Sequence, residues 1–258
     1  RILVSVIDGG ISSPNKEKLS RVAERYHTTI RFLMIHTDLF QDLVIRYHLK
    51  TPTYYRLALP DVLDTTVDKV LYLDCDLIVK DDIEKLWNTD LKDQYLAAAE
   101  GVGIERGEYL RDTKTRLQIP AGHTYFNAGV MLINLALWRR ENIHRTIIEF
   151  IARNPDKIRL ADQDGLNAFL HDKCLLVPVR WNQQTSLRTR VQTTSDPGLL
   201  EAINNPGIIH FTGRAKPWHY ADTDPGKKEY LHYLAMTEWK LVEVSVILPA
   251  LDEERTIG

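Results

Sequence analysis

Only two cysteines, Cys75 and Cys174, occur in 258 residues. Two cannot build a disulfide framework or, by themselves, a zinc site; they read as packed free thiols of a reducing compartment. No apolar run approaches the roughly twenty residues that a membrane-crossing helix needs, and no leader pattern is read at the start. Strong charge of one sign is also missing. The chain has 33 Lys+Arg against 35 Asp+Glu, a net charge of −2, which gives no general attraction to nucleic acid. Internal repeats and low-complexity tracts are absent as well. What is there is a chain 44% hydrophobic and 26% charged, the composition of a globular protein with a real core. Its length suits one large domain or two small ones.

Periodicity sets out the elements. Residues 1–8 form a strand pattern, and Ser13-Pro14 opens a helix with Leu19, Val22, Ala23 and Tyr26 on one face. Thr29–Ile35 predicts a strand, Thr53–Leu59 a helix and Val67–Leu73 a buried strand. Asp82–Trp87 reads as a short helical turn and Tyr95–Ala99 as a strand. Gly101–Gly122 has many charges and no clear period, and is expected to be a mobile loop. Phe126–Leu135 predicts a strand, Trp138–Arg153 and Asp162–His171 helices, and Cys174–Val179 and Gly207–Phe211 strands. Strands that alternate with helices predict an α/β protein with a mostly parallel sheet flanked by helices. Position 1 is Arg, already inside a strand pattern, and Val244–Glu254 is again strand then loop. The chain therefore reads as a piece of a longer polypeptide.

Four blocks carry chemistry. The strand Val67–Leu73 runs into Asp74-Cys75-Asp76, two carboxylates at i and i+2 on one side of the strand end. Side by side they raise each other's proton affinity. A divalent cation such as Mg²⁺ or Mn²⁺ removes that conflict, and ligands of open α/β sheets bind beyond the carboxyl ends of the strands. The same pair also suits a loop start that caps a helix. In Asn127-Ala128-Gly129, Asn suits a sugar hydroxyl and the small residues allow close backbone approach, although a strand start with a capping Asn reads the same way. Asp162-Gln163-Asp164 fits either a helix cap or contacts to a ligand near the positive end of the helix dipole. His210-Phe211-Thr212-Gly213-Arg214-Ala215-Lys216 ends an apolar strand with a turn and two positive charges, a cluster that suits a diphosphate. An imidazole beside two carboxylates favours Mn²⁺ over Ca²⁺.

The order of these blocks resembles glycosyltransferase family 8, the retaining, nucleotide-sugar-dependent enzymes with the GT-A fold, over roughly residues 1–220. The resemblance implies a hexosyltransferase with a Rossmann-like sheet. Asp74 and Asp76 match the family's D-x-D and His210 its third metal ligand, for Mn²⁺ or Mg²⁺. Gly213 and Lys216 match residues on the diphosphate, and Arg56 a basic residue near the donor. Asn127, Asp162 and Gln163 match contacts to the donor sugar, with Gln163 by the anomeric carbon and no strong nucleophile among them. Trp181-Asn182-Gln183 resembles the stretch lining the sugar and acceptor pocket. The implied donor is a UDP-hexose, glucose or galactose. The implied acceptor is a hydroxyl on a glycan, a lipid-linked glycan or a protein, in bacterial surface glycan or lipopolysaccharide synthesis. The implied place is the cytoplasm or the inner face of the membrane, by peripheral association.

The family's first strand-helix unit, which grips uracil and ribose, has no counterpart here. The expected domain is therefore residues 1–240, incomplete at its N-terminus. Residues 241–258 are expected to be a linker and the start of a second transferase domain, because Val244–Glu254 resembles the opening of family 2 glycosyltransferases; a C-terminal strand or loop of the first domain reads the same way. Self-glycosylation on Tyr109 or Tyr125 is a further expectation of the resemblance. Two other classes fit parts of the pattern. A haloacid-dehalogenase-like phosphatase also places D-x-D after a strand, but leaves Asn127, Asp162 and His210 unexplained. A non-catalytic fragment would bind sugar or metal alone.

Overall fold

The structure, a computed structural model, describes residues 2–35, 37–41, 43, 51–102, 108–189, 194–219 and 223–239. Strand β1 (Leu3–Asp8) leads through helix α1 (Ser13–Arg25) to β2 (Thr29–Met34). A 3₁₀ stretch over Thr51–Ala58 runs into the single turn α2 (Leu59–Val62), then β3 (Lys69–Leu73), β4 (Leu77–Val79) and α3 (Glu84–Trp87). Next come β5 (Leu96–Glu100), α4 (Glu108–Leu117), β6 (Phe126–Asn134), α5 (Leu135–Arg140), α6 (Ile143–Arg153) and α7 (Ala161–Leu170). The chain continues with β7 (Cys174–Val177), β8 (Gln183–Gln184), α8 (Thr185–Thr189), α9 (Pro197–Asn204), β9 (Ile208–His210) and α10 (Lys227–Leu234).

The central sheet has the order β3-β6-β5-β7, a smaller sheet the order β4-β9-β8, and β1-β2 stand as a separate pair. The fold is α/β, as expected, but the sheet is not mostly parallel. Among the described residues β1/β2, β5/β7 and β8/β9 run parallel, while β3/β6, β5/β6 and β4/β9 run antiparallel. Alternation of strands and helices cannot report the direction of return. The excursion after β5 leaves and re-enters at one point, where the Gly101 N–H donates to the Tyr125 carbonyl at 2.9 Å. Strand β6 must therefore run back against β5.

Strand β6 is buried on both faces, and its alternate residues feed two cores. Met131 and Ile133 face α6, α7 and the 51–63 segment, while Val130 and Leu132 face the layer containing Leu86, Val177 and Trp181. Strand β5 divides in the same way, with Leu96 and Ala98 on one side and Ala97 and Ala99 on the other. Period-two side chains buried on both faces explain why these strands read as continuous apolar runs.

Three other expectations are corrected. The segment expected as a loop over 101–122 contains α4, whose buried Thr113 and Leu117 lie four residues apart on one face; residues 103–107 lie outside those described. The helix expected over Trp138–Arg153 is two helices. Asn134 caps the first by accepting from the Leu137 N–H at 3.0 Å, and Asn142, in the left-handed region at φ 53°, separates them. The helix expected over Thr53–Leu59 is mostly 3₁₀. The Val244–Glu254 strand expectation lies outside the described residues. Both cysteines are free thiols, but Cys75 is exposed rather than packed.

One gap shapes the molecule. A cavity of 2080 Å³ is lined by consecutive residues of β1 (Leu3–Ile7), with Ile2 before it, and of β3 (Lys69–Leu73). Successive strand residues point to opposite faces, so a cavity touched by all of them meets each strand edge-on. Among the described residues β1 pairs with β2 alone and β3 with β6 alone.

Candidate metal and donor-sugar site

The same cavity reaches the ends of β3 and β9. The Asp74 N–H extends the β3/β6 ladder by donating to the Gly129 carbonyl at 2.8 Å, and the Phe211 N–H donates to the Asp76 carbonyl at 2.9 Å. Within two residues the chain thus crosses from the central sheet to the small one, where Leu77 pairs with His210. That crossing brings His210, from far along the chain, beside the two aspartates. His210 Nε2 lies 3.2 Å from Asp76 Oδ1 and 3.7 Å from Asp74 Oδ2, and the three residues offer ligand atoms within 4.8 Å of one another. Oxygen and imidazole donors around one six-coordinate ion sit roughly 3 Å apart when adjacent, so the set fits a divalent cation.

The proton on the imidazole is assigned by the main chain. The Gly129 N–H donates to Asn127 Oδ1 at 2.9 Å, which fixes that atom as oxygen. Asn182 Nδ2 must then be the group that donates to the same oxygen, at 2.9 Å. Asn182 Oδ1 therefore faces His210 Nδ1 at 2.9 Å and accepts its proton. Nε2 is the nitrogen turned toward the aspartates, the placement of a metal-binding histidine oriented by an outer partner. Gly129 is required sterically too. A Cβ there would collide with His210 Cε1 and lie 2.8 Å from Asp74 Oδ2.

Cations surround the pair. Lys216 Nζ contacts Asp76 Oδ2 and the Phe211 carbonyl, each at 2.6 Å. Burial would raise the Asp76 pKa, but His210 and Lys216 outweigh it and hold the carboxyl well below the usual range. Arg56, buried, reaches Asp74 Oδ1 at 2.9 Å and Asp162 Oδ2 at 2.8 Å, and donates to the Ala128 and Thr53 carbonyls. Its guanidinium lies 4.5 Å from the centre of the Tyr72 ring, and the Tyr72 hydroxyl donates to Asp74 Oδ1 at 2.8 Å. The charge of Arg56 is thus already matched by two carboxylates.

Asp162 is almost completely buried, and burial pushes its carboxyl up to about 6 against the opposing pull of Arg56. The Arg56 contact at Asp162 Oδ2 is an ion pair without an aligned hydrogen bond, so among the described residues this buried oxygen has no hydrogen-bond donor. Gln163 accepts from the Ala128 N–H through Oε1 at 3.0 Å. Asn127, Asp162, Gln163, Gly213 and Lys216 all line the cavity with the three candidate ligands.

Three residues behave differently from the rest of the expected set. Gly213 has no steric need to be glycine, since a Cβ would sit 3.6 Å from Thr185. Trp181 packs in the core under Gly207 and does not line the cavity. Tyr125, expected as a glycosylation acceptor, is 1% exposed and donates to Asp164 at 2.7 Å. Sequence reasoning missed the orienting role of Asn182 and the Tyr72 contact. The Trp-Asn-Gln block was the one available signal for the first. Strand alternation was the signal for the second, since Tyr72 precedes Asp74 by two.

The sequence profile described as glycosyl transferase family 8 matches residues 1–222. The chain belongs to glycosyltransferase family 8. It is 36% identical over 246 residues to General stress protein A of Bacillus subtilis, covering 92% of this chain and 83% of that protein. To the lipopolysaccharide 1,3-galactosyltransferase of Salmonella typhimurium it is 29% identical, covering 88% of this chain and 67% of the relative. The solved galactosyltransferase LgtC, in complex with donor and acceptor sugar analogs, superposes with a TM-score of 0.82 at 31% identity, covering 93% of this chain and 87% of that one. The family 8 chain thus has the GT-A fold and is a hexosyltransferase, which removes the phosphatase alternative. No described helix is long and apolar enough to cross a membrane.

Proposed function

We propose that this family 8 chain transfers glucose or galactose from a UDP-hexose to an acceptor hydroxyl with retention, using Mn²⁺ or Mg²⁺ held by Asp74, Asp76 and His210. The observation that carries the reading is His210 Nε2 set between two aspartates at the rim of a cavity that Asn127, Asp162 and Gln163 also line. A bound divalent cation supplies Lewis-acid stabilisation of the charge that develops on the leaving diphosphate. Lys216 is placed to add to that stabilisation by exchanging Asp76 for a phosphate oxygen. Asp162 Oδ2, ion-paired with Arg56 but without an aligned donor, accepts a hydroxyl of the donor sugar, which supplies the hydrogen bond that burial demands. Arg56 holds Asp162 and Asp74 at a fixed spacing, and so sets the sugar against the diphosphate. Gln163 is neutral and a poor nucleophile, so the oxocarbenium-like state is attacked from the face the diphosphate leaves. The departing phosphate oxygen takes the acceptor's proton.

Relatives named as lipopolysaccharide glycosyltransferases support a role in bacterial surface glycan or lipopolysaccharide synthesis; the proposed acceptor is a glycan, a lipid-linked glycan or a protein, and the proposed place is the cytoplasm or the inner face of the membrane. We further propose that residues 1–240 are the transferase domain and 241–258 lead into a second one. The slot between β1 and β3 is the place for an additional strand that completes the nucleotide pocket. Replacing Asp76 with Ala is expected to lower Mn²⁺-dependent transfer from UDP-galactose or UDP-glucose by at least about 100-fold. Transfer that persists with unchanged metal dependence would overturn the assignment.

A further inference from the structure

Two buried side chains outside the cavity control the direction of Gln163. Asp164 is fully buried. Its Oδ2 accepts from the Arg159 N–H at 2.7 Å, the Leu160 N–H at 3.0 Å and Arg116 Nη1 at 3.1 Å. Its Oδ1 accepts from the Tyr125 hydroxyl at 2.7 Å. A carboxylate only accepts, so the Tyr125 proton points at Asp164 and the phenolic lone pairs point away. Gln163 Nε2 donates to that phenolic oxygen at 3.3 Å, and Gln163 Oε1 accepts from the Ala128 N–H at 3.0 Å. Both ends of the amide therefore agree on one orientation. The backbone beneath is held in an unusual form, with Ala161 at φ 50°, immediately before Asp162. The hydrogen bonds from Arg159 and Leu160 to Asp164 tie down the two residues that precede it. Asn167 fastens the same helix to β6, accepting from the Phe126 N–H at 2.8 Å and donating to its carbonyl at 2.9 Å. Neither Tyr125 nor Asp164 lines the cavity.

We propose that Asp164 and Tyr125 are positioning residues. They hold the Gln163 amide in one orientation at the donor sugar and act on the reaction through Gln163 alone. This rests on the placement of Gln163 beside the anomeric carbon proposed above. A small displacement of a group at the reacting centre costs rate more than binding, so the effect belongs in kcat.

The test is a double-mutant cycle on the protein, with UDP-galactose and UDP-glucose as donors and Mn²⁺ present. Tyr125→Phe removes one hydroxyl and keeps the ring that fills the core. It is expected to lower kcat about tenfold with the donor KM held within about twofold. In a Gln163→Ala background the same substitution is expected to change kcat by less than about twofold, because its target is gone. Asp164→Asn is expected to follow Tyr125→Phe; if it fails to fold, the Tyr125 cycle decides alone. A second readout is the exchange of the Gln163 side-chain amide hydrogens, which is expected to speed up in Tyr125→Phe. Equal losses from Tyr125→Phe on both backgrounds, or an unchanged kcat with Gln163 intact, would overturn the proposal. Should Gln163→Ala leave kcat unchanged, the placement of Gln163 itself is what fails.

Discussion

The β1–β2 pair and the β3-β6-β5-β7 sheet are written in the same residue types and meet different fates. Leu3-Val4-Ser5-Val6-Ile7 and Lys69-Val70-Leu71-Tyr72-Leu73 are both β-rich runs ending in aspartate. In the central sheet, Leu96, Met131, Leu132 and Ile133 are fully buried, whereas Leu3 is 51% exposed and Met34 72%. The pattern of a strand states that its side chains suit burial; it does not supply the neighbour that buries them. The candidate metal ligands hang at the ends of β3 and β9, where the central sheet meets the small one. The expected nucleotide side faces the slot beside β1.

The comparison is sharpest in paired truncations. Leu132→Ala in β6 is expected to cost about 2–5 kcal/mol, the range for emptying a packed core position. Leu3→Ala in β1 is expected to stay within about 0.5 kcal/mol. Denaturant unfolding of both variants checks this, and equal losses would break the distinction. Next in size is Gly129→Ala, which forces a Cβ into His210 and Asp74. Overpacking of this kind costs about 1–3 kcal/mol, and calorimetry with Mn²⁺ is expected to show binding weakened at least about tenfold. Smaller again is Asn182→Ala, which leaves the fold standing but releases the imidazole. Mn²⁺ affinity is expected to fall by about 10–100-fold, against no change for a substitution at exposed Met34.

The smallest effect is a pH dependence confined to the helical layer. His144 is buried beside Asp61, 3.2 Å away, with Arg145 nearby. Burial lowers its pKa despite the opposing pull of Asp61. The folded state then binds fewer protons than the unfolded chain, so stability is complete above the unfolded value near 6.5 and declines as pH falls below it. His144→Gln is expected to flatten that slope in melts between pH 7.5 and 5.5. An unchanged slope would place its origin elsewhere.

Much of the site was legible because its chemistry sits at strand ends. Apolar runs followed by Asp74-Cys75-Asp76 or His210 announce both the element and the point where it stops. What was not legible depends on pairings between distant segments. Nothing local says that β6 returns antiparallel, since that follows from where the 101–125 excursion closes. Arg56 looked like a free cation for the donor, and only the fold shows two carboxylates wrapped around it. Helix α4 was hidden because only Thr113 and Leu117 are fully buried, with Leu110 packed beside them, among many charged residues.

The Gly129 amide has a consequence for how the site can change. A main-chain N–H has one polarity, and no side-chain substitution elsewhere can reverse it. From it the settings of Asn127, Asn182 and His210 follow like dominoes, each leaving the next a single way to fall. The face that the imidazole shows to an incoming ion is thus inherited from the polypeptide itself, and turning that face away would strand a buried oxygen at every link.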